Sequence, residues 1–168
     1  SMTISAVEKE LTKVNEKSSM NEVSEAVEEA VLMGARGNSG TILSQIITGF
    51  LKGIGDKDRL YAADVVTALE SAKEVAYQAV NQPVEGTILT VIRKVADSAR
   101  EYVKTSDDLV GLLENIKDTA QEAVEQTPEE LPKLKEAGVV DAGAKGLFYI
   151  LEGFYMLITQ ADLVEEIE

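Results

Sequence analysis

The stretch GARGNSGTILSQIITGFLKGI, residues 34–54, holds both halves of the problem: a glycine-rich run that interrupts the helical pattern, followed directly by apolar residues at helical spacing. Ile42, Ile46, Phe50 and Ile54 recur every four residues, which places them on one face of a helix running from about Ser39 to Ile54. Gly49 and Gly53 keep that same four-residue spacing and remove side chains along a second stripe, where a neighbouring helix can approach closely. Gly55 then stops the helix. The same three- and four-residue periodicity extends in both directions, and no segment alternates as a strand would.

Upstream, Ile4, Val7, Leu11 and Val14 predict a helix over about Thr3 to Asn15, and Ser19-Met20-Asn21-Glu22 reads as a capping box opening a helix that ends at Gly34. Downstream, Asp58 is placed to cap a long helix to about Val80. Pro83 suits the first turn of the next, which carries Ile88, Val91, Ile92, Val95 and Ala99. Ser106 is placed to cap a helix through Leu109, Leu113, Ile116, Ala120 and Val124. Thr127-Pro128-Glu129-Glu130 combines a capping box with proline at the first helical position and predicts a short helix closed by Gly138. A last, strongly apolar helix is expected from about Gly143 to Gln160. Short connections force antiparallel neighbours, so the expectation is an all-α, up-and-down bundle or barrel of seven to eight helices, forming one domain over residues 1–168.

Composition narrows the chemistry. The chain has 30 acidic against 16 basic residues and no basic stripe, which argues against nucleic acid as a partner. It contains neither cysteine nor histidine, so thiol nucleophiles, imidazole bases and the commonest zinc ligands are all excluded. No apolar run reaches the length of a membrane span and no signal pattern opens the chain, so a cytoplasmic protein is expected. In so acidic a domain, an anionic ligand has to be met by backbone N–H groups, a divalent metal, or both.

Three glycine-bearing junctions interrupt the helical pattern, and each admits two readings. In Gly34-Ala35-Arg36-Gly37-Asn38-Ser39-Gly40-Thr41, Gly37 and Gly40 let backbone approach a ligand, while Asn38 and Ser39 stand where unpaired helix N–H groups begin. A tight interhelical turn with Asn38 or Ser39 as N-cap explains the same residues. The run is not a Walker A loop, because no Lys-Ser or Lys-Thr follows the glycines. In Gln82-Pro83-Val84-Glu85-Gly86-Thr87-Ile88-Leu89-Thr90, Gly86 and Thr87 put a small residue and a hydroxyl near a helix start, which serves a ligand or simply a loose first turn. In Gly138-Val139-Val140-Asp141-Ala142-Gly143-Ala144-Lys145-Gly146, Asp141 is a natural N-cap, and the Val-Val loop is equally suited to cover a flat ring. Asp56-Lys57-Asp58 has the form of a metal-binding triplet but reads better as a solvated turn.

Taken together and in this order, the three junctions resemble the nucleotide-binding L-type domain of the dihydroxyacetone kinase family, and within it the N-terminal domain of the bacterial fatty acid kinase large subunit. The resemblance covers nearly the whole chain. It implies a barrel of antiparallel helices binding ATP or ADP with two Mg²⁺ ions at one end. It also implies that Gly37, Asn38, Ser39 and Gly40 meet the phosphates, that Gly86 and Thr87 lie by the nucleotide, and that Asp141, Ala142 and Gly143 belong to a loop closing over the base. The activity implied is phosphoryl transfer to a fatty acid presented by a separate lipid-binding protein. A dihydroxyacetone kinase subunit and a non-catalytic helical interaction module are the alternatives. The family's metal-binding Asp-Gly-Asp-Thr-Gly segment has no counterpart in this chain, which begins at Ser1-Met2-Thr3-Ile4-Ser5. The resemblance therefore implies no metal ligands and no identified catalytic residue here, and a chain that is inactive alone. Ala142 and Ala144 depart from the serine and glycine usual in the fatty acid kinase branch.

Overall fold

The computed structural model describes the backbone of residues 37–167 and the side chains of residues 40–160. The two expected helices before Gly34 lie outside the described residues. Six helices occur among the described residues, with no strand: α1 (Gly37–Ile54), α2 (Ala62–Gln78), α3 (Ile88–Tyr102), α4 (Leu109–Glu130), α5 (Pro132–Ala137) and α6 (Ala142–Ile167). The all-α expectation holds.

Pairs of contacts fix the direction of each neighbour. A Cβ built at Gly49 would lie 3.1 Å from Ala72 Cα, and one at Gly53 would lie 2.6 Å from Ala68 Cα, so α1 and α2 run antiparallel with glycine against alanine. Tyr77 Oη donates to Leu89 O at 3.3 Å while Arg100 pairs with Glu70 at 2.9 Å, which sets α2 antiparallel to α3. Lys94 reaches Glu130 at 2.8 Å and Ser98 Oγ donates to Asn115 Oδ1 at 2.6 Å, so α3 and α4 are antiparallel as well. Asp141 N donates to Thr127 Oγ1, and Lys117 Nζ sits 4.9 Å from the centroid of the Tyr155 ring, so α6 descends against α4. Finally α6 returns to α1, where Phe50 and Phe154 meet edge to face at 5.8 Å.

Five long helices thus form a ring, α1, α2, α3, α4, α6 and back to α1. With an odd number of members alternating in direction, one seam has to be parallel, and here it is α1 beside α6. Phe50 and Phe154 lie about 20 Å and about 18 Å along their helices from Gly37 and Ala142, so those two N-termini stand level at one end. The core fills the ring. α3 is its centre, with eight buried residues including Ile88, Val91, Ile92 and Val95, and it touches α6 across the interior. Helix α2 adds Val65 and Leu69, α4 adds Leu112, Leu113 and Ile116, and α6 adds Leu147 and Leu151.

Several helix boundaries differ from expectation, each for a local reason. α1 begins at Gly37, two residues early, which draws Asn38 and Ser39 into its first turn. α2 begins at Ala62, and exposed Asp58 does not cap it; Asp64 reaches back instead to accept from Tyr61 N at 2.9 Å. Pro83 stands outside α3, because Gly86 at φ +83° breaks the backbone and Thr87 takes the cap, its Oγ1 accepting from Leu89 N. Asp108, not Ser106, caps α4 by accepting from Gly111 N at 3.2 Å. The largest correction concerns Thr127-Pro128-Glu129-Glu130, which opens no helix: α4 runs through it to Glu130, and Pro132 starts α5 after Leu131. Gly55 and Gly138 end α1 and α5 as expected, Gly138 in the left-handed conformation. α6 spans Ala142–Ile167, longer than the stretch ending at Gln160.

Candidate functional site

Alternation around the ring brings three helix N-termini to one end: those of α1, α3 and α6, interleaved with the C-terminal turns of α2 and α4. A helix N-terminus has first-turn N–H groups without intrahelical acceptors and carries the positive end of the helix dipole, equivalent to roughly half a charge. The three glycine-bearing junctions of the sequence are the segments that lead into these three helices.

At the α6 start, Asp141 is the N-cap. Its Oδ2 accepts from Ala144 N at 3.0 Å and its carbonyl accepts from Lys145 N at 3.0 Å. The amides of Ala142 and Gly143 lie between these two bonds with no acceptor among the described residues, Ala142 exposed and Gly143 buried. At the α3 start the Gly86 amide points inward and donates to Thr90 Oγ1 at 3.0 Å, so it is not offered to a ligand. Thr87 Oγ1 likewise donates to Val84 O at 2.7 Å while accepting from Leu89 N. Gly86 is needed twice over: φ is +83°, and a Cβ there would stand 2.8 Å from Leu131 Cβ and 3.0 Å from Thr127 O.

Around Gly86 the polar groups form one network. Thr90, fully buried, donates from Oγ1 to Glu85 Oε2 at 2.6 Å, and Arg93 pairs with the same oxygen at 2.9 Å. The Thr90 hydroxyl first, and Arg93 after it, hold the Glu85 carboxyl below the usual glutamate range. Val84 and Val139, about half exposed, each precede a helix start by a short distance and leave apolar surface at this end.

A family model described as "DAK2 domain" matches residues 1–156. This chain belongs to the DAK2 domain family. It is similar to Protein YloV of Bacillus subtilis (strain 168), 44% identical over 135 residues, covering 80% of this chain and 24% of that protein. It is also similar to uncharacterised proteins of Staphylococcus epidermidis (strain ATCC 12228), 42% identical over 140 residues, and Staphylococcus aureus (strain USA300), 43% identical over 140 residues. Each of these matches covers 83% of this chain, and 25% and 26% of the respective relative. The chain therefore spans about a quarter of the length of the curated relatives it matches. As a DAK2 member it is a dihydroxyacetone kinase-like, L-type domain.

Of the residues singled out from the DAK2 sequence, Gly37, Asn38, Ser39 and Gly40 form the first turn of α1, with the side chains of Asn38 and Ser39 outside the described ones. Gly86, Thr87, Asp141, Ala142 and Gly143 gather around the C-terminal turn of α4. Two residues central to this end were passed over in the sequence: Thr90, and Thr127, which sequence spacing assigned to a cap. Both are fully buried, and each accepts a backbone amide from one of the glycine-bearing junctions, Gly86 N and Asp141 N respectively. A threonine at an inward-facing helical position, within reach of a glycine junction, was the available signal. Among the described residues no helix is long and apolar enough to cross a membrane.

Proposed function

We propose that this chain is an ATP-binding phosphotransferase domain, residues 1–168 acting as one unit, and that its nucleotide lies across the end where α1, α3 and α6 begin. The single supporting observation is the convergence of those three helix starts, since a polyphosphate in an acidic protein needs backbone donors and dipoles more than side-chain charge. On this reading Gly37, Asn38, Ser39 and Gly40 cradle the phosphates with the α1 first-turn amides. The free amides of Ala142 and Gly143 add donors beside Asp141. Gly86 and Thr87 shape the wall between them, and the exposed Val84 and Val139 offer apolar surface to the base.

Magnesium, when bound, supplies charge neutralisation for the phosphoryl group in transfer. Among the described residues no group of three or more His, Cys, Asp or Glu side chains is placed to hold a metal ion. Without histidine, the domain's own contribution is binding and orientation. The acceptor we infer is a fatty acid carboxylate presented by a separate lipid-binding protein, resting on the blocks Gly34–Gly40, Pro83–Val91 and Gly138–Gly143 that resemble the fatty acid kinase branch.

Calorimetric titration with ATP and ADP, with and without Mg²⁺, tests the binding. Saturable binding weakened by Asn38→Ala and by Ser39→Ala is expected; flat titrations in all four arms would instead support a non-catalytic interaction module. The acceptor is tested on the full-length relative with radiolabelled ATP. Label should pass to a fatty acid on its carrier protein and not to dihydroxyacetone, and the reverse pattern would replace the acceptor class.

A further inference from the structure

Thr127 and Pro128 lie in the last turns of α4, where the chemistry of a proline governs the bonding of its neighbour. Pro128 has no N–H, so the carbonyl of Val124, four residues earlier, has no helical donor. The Thr127 hydroxyl takes that place, donating to Val124 O at 2.7 Å. A hydroxyl has one proton and two lone pairs. With the proton held by Val124, Thr127 Oγ1 can only accept from elsewhere, and it accepts from Asp141 N at 3.1 Å. Thr127 has 0% exposure, so no bulk water competes for that oxygen. The same turn also meets the other junction: Thr127 O, which accepts from Leu131 N at 3.0 Å, is the atom 3.0 Å from a Cβ built at Gly86.

We propose that the Thr127-Pro128 pair is a positioning device for the nucleotide loops, in which the proline sets the polarity of the threonine hydroxyl and the hydroxyl pins the start of α6. It rests on the nucleotide reading of this end. The pair holds Asp141, and with it the amides of Ala142 and Gly143 that follow, to the same turn of α4 that Gly86 packs against. Neither residue touches ligand; both act through Asp141. An ordinary structural proline in a helix interior lowers stability and has no further effect, whereas this one determines which way a hydroxyl points.

Three variants and three readouts decide the matter: hydrogen exchange of the Asp141 amide in the unliganded protein, affinity for ADP, and thermal midpoint. Thr127→Val should speed Asp141 exchange about tenfold and weaken ADP by about tenfold, and Thr127→Ser should restore both. Pro128→Ala returns a backbone donor to Val124 O and frees the hydroxyl to rotate. It should raise the thermal midpoint while weakening ADP several-fold and speeding Asp141 exchange. That opposition of stability and affinity is the signature a merely structural role would not give. Wild-type exchange at Asp141 in both Thr127→Val and Pro128→Ala overturns the proposal, as does Pro128→Ala losing midpoint and affinity together. If the wild-type chain binds no ADP, the nucleotide reading fails on its own. The exchange rates still show whether the pair pins Asp141.

Discussion

The α1/α2 seam and the end of the ring near Gly86 both depend on glycine, and for different reasons. Along the seam, Gly49 and Gly53 keep ordinary helical backbone and matter only for what they lack, a side chain where Ala72 and Ala68 press in. At the other place Gly86 is left-handed as well as crowded, and a turn, a helix start and the end of α4 all meet on it. A seam glycine therefore governs how closely two helices pack. Gly86 governs where a loop goes, and through Thr127 O and Leu131 it shares its anchor with the start of α6.

Substitution separates the two kinds of dependence. Gly86→Ala combines a disfavoured φ with contacts to Leu131 Cβ and Thr127 O that cannot easily yield, and is expected to cost about 3 kcal/mol in urea unfolding. A cost under about 1 kcal/mol would mean that the turn relaxes and that the two places are alike after all. Thr90→Val keeps shape but leaves the Gly86 amide buried without an acceptor, which should cost about 2 kcal/mol. Chemical denaturation of the Thr90→Ser protein, which retains the hydroxyl, should show a markedly smaller loss.

On the seam, Gly53→Ala gains some helix propensity but drives a Cβ against Ala68 Cα, for an expected net loss of about 1–2 kcal/mol. The double variant Gly53→Ala with Ala68→Gly should recover little of it, because the 2.6 Å contact is with a Cα that glycine keeps; near-complete recovery would show that the seam is not set by that backbone contact. The Gly53 variant should also leave nucleotide affinity near wild type, in contrast to Gly86→Ala.

The smallest expected effect concerns Glu85. Its folded pKa is depressed by the Thr90 hydroxyl and by Arg93, so its stabilising contribution is present above the ordinary glutamate pKa and is lost as pH falls through the folded value. Its side chain is 58% exposed, and screening keeps the contribution under about 1 kcal/mol. The stability gap between wild type and Glu85→Gln should narrow on acidification below that range. A gap that stays constant with pH would assign the role of Glu85 to hydrogen bonding alone.

Much of the architecture was legible because it is written in local periodicity. The apolar stripe Ile42, Ile46, Phe50 and Ile54, the close-approach glycines Gly49 and Gly53, the stops at Gly55 and Gly138, and the Asp141 cap all depend on residues within a turn or two of each other. The boundaries that went astray did so where several local signals competed. Asp58 and Ser106 are good caps by type, but Asp64 reaching back to Tyr61 N and Asp108 accepting from Gly111 N start those helices elsewhere. Thr127-Pro128-Glu129-Glu130 has the composition of a helix start, and nothing in its own spacing says that the Thr127 hydroxyl will replace the missing amide of Pro128 and carry α4 onward.

Sequence alone thus determined that this chain is helical and which glycine-bearing segments stand out, because propensity, capping and periodicity act within a few residues. Tertiary structure decided that the segments leading to Gly86 and Asp141 share an anchor on α4, and that the Gly86 amide faces Thr90 instead of solvent. Those outcomes rest on contacts between residues far apart in the chain, whose geometry exists only once the ring of helices has closed and alternation has brought three helix starts to one end.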